Sequence, residues 1–346
     1  MDLFTLQVPE ESLHPNFQRV YGTSIHQAQR ELLSEWASGF IDRDRKFVKE
    51  FQTTFNSSFW ELYLFKIFKE YGCTVDTSHS TPDFLVQKNG CEIVVEATVS
   101  LAASGSKNEW ETDIESDLFN LDLNEFNRQT IIRLSNSVTN KYRRYQKLYQ
   151  HLDYVKGKPF VIALEPFHCP YHYLAADVPI RALLYDYYVN EQEFLAHPER
   201  YPNGHPPTTH FGNIEKDNGS LIFLGLFNDR FMPEVSAIVF NNLATWGKLD
   251  ALIESSSTNN NMFFQTVEIE DDQIKTQITP KSKYKESILA GLQIYHNPYA
   301  NIPLPEDFFE HKDVNQWFGY MDAEHLYYDN YDGLKTRSII NFVPRQ

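Results

Sequence analysis

Residues 83–99, DFLVQKNGCEIVVEATV, constrain this chain more than any other stretch. Two apolar runs flank Lys88-Asn89-Gly90, a glycine-containing turn signal, so the segment reads as a β-hairpin. The return run, Cys91 to Val99, carries Glu96 among apolar residues. A carboxylate in a strand this apolar is costly unless it is paired or bound to a cation. Asp83, behind Pro82, opens the outgoing strand. With the turn centred on Asn89, positions 83 and 95 face each other. Asp83 and Glu96 then lie near one end of the hairpin, one residue out of register, and a bulge or twist would bring both to one edge.

A strongly apolar helix, FWELYLFKIFKEYG, precedes the hairpin. Ser57 and Ser58 are its expected caps, and Gly72 ends it in a left-handed conformation. Glu61 stands at its start. Upstream, residues 24–55 read as helical, and Cys73 to Val75 as the start of a short strand. Downstream, residues 104–125 read as an acidic insertion with a short helix, and 127–152 as one long helix. FVIALE after Pro159, SLIFLGLF (220–227), EVSAIVFNN (234–242) and MFFQTVEIE (262–270) read as strands, and RALLYDYYV as a helix. Residues 197–212 and 296–306 read as loops. The expected fold is α/β: a mixed sheet flanked by helices, with a helical region at 1–56, a core at 57–170 and an α/β elaboration at 171–346. No flexible linker separates these parts, so one compact domain is the default.

Charge and cysteine content narrow the function classes. The net charge of −16 argues at first against nucleic acid. Yet the stretch from Asn127 to His151 holds Arg128, Arg133, Lys141, Arg143, Arg144 and Lys147 and no acidic residue. Only a contact face needs to be basic. Cys73, Cys91 and Cys169 are scattered, which favours neither a zinc site nor a disulfide framework. The start of the chain lacks a signal-like apolar run and no stretch is long enough to span a membrane, so a cytoplasmic setting is expected.

Metal-assisted phosphodiester cleavage needs converging carboxylates and usually a lysine. The order FWELYL…TPDFLVQKNGCEIVVEAT resembles the PD-(D/E)XK nuclease superfamily, over about residues 57–165. The resemblance implies a restriction-endonuclease-like core and a Mg²⁺ or Mn²⁺ cofactor. It implies that Asp83, Glu96 and the Ala97 carbonyl are ligands, and that Glu61 holds a second ion or an ion's water. The family's lysine position holds Thr98. Some members supply the lysine from the following helix. At about 100° per residue, Lys141 falls within the stripe of Ile131, Leu134, Val138, Tyr142, Tyr145 and Leu148. Arg133, Arg143, Arg144 and Lys147 point away and are candidate phosphate contacts. Lys141 is thus the expected migrated lysine, and Ser137 borders the same site.

Blander roles compete at each position. Glu61 suits a helix dipole, Asp83 a turn, Glu96 a structural salt bridge, and Lys141 a side chain reaching along the stripe to solvent. His168 and His172 do not suggest a metal site, because Pro170 lies between them; His296 reads as a turn residue. Tyr142, Tyr145 and Tyr149 read as core. The favoured activity is a metal-dependent nuclease acting on DNA ahead of RNA, with a homodimer as a further partner. The alternative is an inactive module of the same fold that binds nucleic acid or a protein. A metal-independent sugar hydrolase finds little support in five scattered tryptophans.

Overall fold

The computed structural model describes residues 1–119, 121–202, 206–255, 261–270, 273–320, 326–329 and 332–341. The chain opens with helices α1 (Pro15–Tyr21), α2 (Gln27–Trp36), α3 (Phe47–Thr53) and α4 (Phe55–Glu70). The expected helical stretch 24–55 is broken between α2 and α3, where Gly39 and Arg45 take positive φ. Helix α4 begins two residues before the expected caps. Ser57 and Ser58 lie inside it, and Thr54 precedes it without a side-chain cap. Aromatic packing sets that start: the Phe55 ring lies 5.0 Å from Phe51 and 5.6 Å from Phe59. Gly72 follows at φ 70°, as a helix end of this kind requires.

The hairpin region supplies β1 (Thr74–Asp76), β2 (Phe84–Lys88) and β3 (Cys91–Leu101). After α5 (Ile114–Leu118), helix α6 (Leu123–Lys147) starts earlier than expected because Asp122 caps the Glu125 amide at 3.0 Å. It also stops earlier. Leu148, expected on the buried stripe, closes the helix and is 54% exposed.

Strand β4 (Phe160–Phe167) is buried throughout. Helix α7 (Val178–Tyr185) replaces the expected RALLYDYYV helix, because Asp186 turns left-handed and releases the chain into β5 (Tyr188–Val189). Helix α8 (Glu191–Ala196) and short strands β6 (Thr208–Thr209), β7 (Asn213–Glu215) and β8 (Leu221–Phe223) follow. Residues 203–205 of the expected loop lie outside the described residues. SLIFLGLF is a strand only over β8. Beyond Gly225, the Leu226 and Phe227 amides turn to the Leu183 and Leu184 carbonyls at 3.1 and 2.8 Å, serving the open end of α7.

The remaining elements are β9 (Val235–Asn241), α9 (Trp246–Leu252), β10 (Met262–Glu270), β11 (Gln273–Pro280), β12 (Leu292–His296), β13 (Asn315–Tyr320), β14 (Leu326–Tyr328) and β15 (Gly333–Asn341). Eight strands form a mixed sheet in the order β1-β2-β3-β4-β9-β12-β13-β14. Strand β3 runs antiparallel to β2 and parallel to β4, and β9 continues the parallel run. A second sheet has the order β11-β10-β15.

Alternation along β3 assigns its two faces. Ile93, Val95 and Ala97 belong to one core with α4; Val94 belongs to the other with Ile131, Leu134 and Val138 of α6. Helix α4 is apolar nearly all round because further helices cover its outer side. Trp60 locks it to the sheet by donating to the Ala163 carbonyl at 3.0 Å. No helix among the described residues is long and apolar enough to cross a membrane.

Candidate functional site

The two-residue turn Asn89-Gly90, with φ of 50° and 80°, fixes the hairpin register. Lys88 faces Cys91 and Phe84 faces Val95. Continued by one residue, this register sets Asp83 opposite Glu96, correcting the expected offset. No bulge is needed: two residues with positive φ form the turn, where a centre on Asn89 alone had been expected. Strand β3 runs six residues past Val95, to Leu101, and among the described residues no strand pairs with its β2-side edge from Glu96 onward. The site lies at that edge.

Backbone direction explains how Asp83 is held. The Val94 amide bonds the Pro159 carbonyl on the β4 side, so the Ala97 amide, three residues on, faces the β2 side. There it donates to Asp83 Oδ2 at 2.8 Å. The Ala97 carbonyl turns the same way, toward position 82. Residue 82 is proline and has no N–H to offer it.

Glu96 is 1% exposed and points toward α6. Its Oε1 accepts from Lys141 Nζ at 2.7 Å and from the Tyr149 hydroxyl at 2.9 Å. Arg144 Nη1 stands 3.7 Å from the same oxygen. Glu96 Oε2 is buried without a hydrogen-bond partner. Lys141 leaves the packed face of α6 to reach this carboxylate. Thr98, two residues along β3, is half-buried and cannot supply that charge.

Glu61 approaches from α4, on the other face of the sheet. Burial pushes its carboxyl well above the usual range, and the Asp83 charge adds to this, with Lys141 opposing. Burial and the Glu96 charge push Asp83 up to about 6, against Lys141, the Ala97 amide and Arg144. The fold therefore brings Glu61, Asp83, Glu96 and Lys141 into one electrostatic cluster, in which the carboxylates outnumber the nearby cations.

Among the described residues, no group of three or more His, Cys, Asp and Glu side chains is gathered into a ready cage for an ion. Two of the carboxylate oxygens are committed: Asp83 Oδ2 to an amide, and Glu96 Oε1 to Lys141 and Tyr149. The orphaned Glu96 Oε2, the Ala97 carbonyl and the raised proton affinities of Glu61 and Asp83 fit a hard cation. Such an ion would take few protein ligands and keep several waters, as Mg²⁺ commonly does.

The basic residues divide. Arg133 is not turned outward as expected. Its guanidinium donates to the Leu101 carbonyl at 2.9 and 2.6 Å and ties α6 to the end of β3. Arg144 is exposed, yet it folds back over the Tyr149 ring and onto Thr81 Oγ1 at 3.3 Å, beside Glu96. Its long side chain overcomes an unfavourable helix angle. Arg143 and Lys147 are exposed. Ser137 meets Ser100 at 3.0 Å, further along β3.

Of the residues given blander roles, Tyr149 is buried as expected but also reaches the site, and Tyr142 donates to Glu234 at 2.6 Å. His168 bonds Thr130, and both His168 and His172 are buried. His296 ends β12, buried against Gln316, and is a strand residue where a turn was expected. A separate cleft of about 730 Å³, lined by Arg128, Tyr188, Phe211 and Asp217 among others, includes none of the four clustered residues.

No family model, no curated protein and no solved structure matches this chain.

Proposed function

We propose that this protein is a metal-dependent nuclease with a restriction-endonuclease-like core, hydrolysing phosphodiester bonds of nucleic acid, with DNA the favoured substrate. One observation carries the reading: a lysine from the helix after β3 reaches the buried strand glutamate at 2.7 Å, where the motif's own position holds Thr98. That contact is what a PD-(D/E)XK site with a displaced lysine requires. A structural salt bridge alone does not account for Asp83, whose carboxyl is held on the Ala97 amide beside Glu96 with a raised proton affinity.

Mg²⁺ or Mn²⁺ held by Asp83, Glu96 and the Ala97 carbonyl would polarise the phosphodiester and acidify an attacking water. Lys141 orients that water and offsets negative charge developing on the phosphoryl oxygens. Glu61, with its raised proton affinity, accepts the proton as the water oxygen bonds to phosphorus; the leaving sugar oxygen departs with the electron pair of the broken bond and takes its proton from a solvent water. Tyr149 holds Glu96 in place through its hydroxyl. Arg143 and Lys147, exposed on the same helix, would contact the phosphate backbone.

The test is cleavage of single- and double-stranded DNA and RNA with Mg²⁺ or Mn²⁺, comparing wild type with Asp83→Ala and Lys141→Ala. Each substitution is expected to lower the rate by about 10²-fold or more. Undiminished cleavage by Asp83→Ala would overturn the proposal.

A further inference from the structure

Strand β11 ends the three-stranded sheet on an open edge. The Lys281 amide donates to the Met262 carbonyl at 2.9 Å, which marks residues 262 and 281 as a hydrogen-bonded pair. The β10–β11 register then makes Phe264–Thr279, Thr266–Gln277, Glu268–Lys275 and Glu270–Gln273 pairs of the same kind. The N–H and C=O groups of Gln273, Lys275, Gln277 and Thr279 therefore point at β10. Those of Ile274, Thr276 and Ile278 point away from it, and among the described residues no strand pairs with them.

The same three residues share a sheet face with Gln265, Val267 and Ile269. The opposite face carries buried Phe264, Thr266 and Arg337 against the body of the protein. Ile274 and Ile278 are 62% and 60% exposed. The one charge on the edge strand, Lys275, is engaged by Glu270. Native open edges are commonly blunted by charge, bulges or covering segments; among the described residues, none of these devices stands at the outward-directed positions of β11.

We propose that β11 is a self-association edge, to which a second copy of this chain adds antiparallel about a two-fold axis at Thr276. In that register Thr276 meets the partner's Thr276, and Ile274 meets the partner's Ile278 on each side of the axis. Each facing pair exchanges two N–H···O=C bonds, so every outward donor and acceptor at 274, 276 and 278 is used. Isoleucines become cross-strand neighbours. Lys275 faces Gln277, so no like charges meet.

Other two-fold registers do worse. An axis at Ile278 sets Thr276 against Pro280, which has no N–H. An axis at Ile274 carries Ile278 past the end of the partner's strand. This self-complementarity is what selects a second copy over an unrelated peptide. Strand pairing alone buries less than a permanent interface, so the association is concentration-dependent.

Thr276→Cys tests the register. Facing residues of a hydrogen-bonded pair lie about 5.5 Å apart at Cα, within disulfide range. Mild oxidation is expected to give a reducible covalent dimer with Thr276→Cys, little with Lys275→Cys, and none with wild type. Sedimentation velocity should show wild type moving from the 40.5 kDa monomer toward twice that mass as loading rises. Thr276→Pro should stay monomeric. Its substituted amide does not bond β10, so the fold survives, which circular dichroism checks. A wild type that is monomeric at every loading overturns the proposal. So does a dimer untouched by Thr276→Pro, or equal cross-linking through positions 275 and 276.

Discussion

Asp83→Asn should make the ion-free protein more stable and abolish its activity. Burial and the neighbouring Glu96 charge raise Asp83 from 3.8 to about 6. The sign follows from linkage. A carboxyl whose folded value is raised favours the fold when protonated, and that advantage is lost as pH rises through 6. Above pH 6 the wild type carries the cost of a charged Asp83, which Asn does not carry. A shift from 3.8 to about 6 corresponds to roughly 3 kcal/mol at pH 8 and about half that at pH 5. The amide oxygen of Asn can still accept from the Ala97 N–H. Urea denaturation in EDTA at the two pH values reads the difference. The expected result is a gain near 3 kcal/mol at pH 8 that shrinks toward pH 5. A loss of stability at pH 8, or a gain independent of pH, would refute the electrostatic argument.

Lys141→Met should behave oppositely, destabilising the protein by about 3–5 kcal/mol because buried Glu96 loses its ion pair; a denaturation midpoint equal to wild type contradicts this. Arg143→Ala with Lys147→Ala should weaken DNA binding and flatten its salt dependence, each lost phosphate contact lowering the log–log slope by about 1. Arg133→Ala should leave that slope unchanged, because this guanidinium is spent on the Leu101 carbonyl. Fluorescence anisotropy across a salt series separates the two. Mn²⁺ affinity should rise with pH through about 6, because the ion competes with the proton that the ion-free Asp83 carboxyl holds; an affinity flat over that range would contradict a role for this carboxylate as a ligand.

How far the sequence could be read depended on how local each determinant was. Glu96 announces itself as a charge in an apolar run, and Lys141 as a cation inside an apolar helical stripe. Both signals are periodic and survive without knowledge of the partner elements. The hairpin register was one residue off, although Asn89-Gly90 holds the stronger signal, a two-residue turn with both φ positive. The reach of Tyr149 and Arg144 to Glu96 is hidden in the sequence for a different reason. A helical wheel assumes that the helix continues, but α6 stops at Lys147, so Tyr149 reaches Glu96 from the turn beyond it. Arg144 returns to the site by side-chain length, which angle alone does not register. In the C-terminal half, buried strands such as β9 were visible as apolar runs. The association of β10 and β11 with β15 was not, because some sixty residues separate them and nothing local encodes it.

The most direct measurement is Mn²⁺ binding, followed by the loss of its free electron-paramagnetic signal as protein is added. The account predicts binding by wild type and its loss in Asp83→Asn, with the variant still folded by circular dichroism. Absence of binding by wild type, or equal binding by the variant, would contradict a cation site built on Asp83 and Glu96.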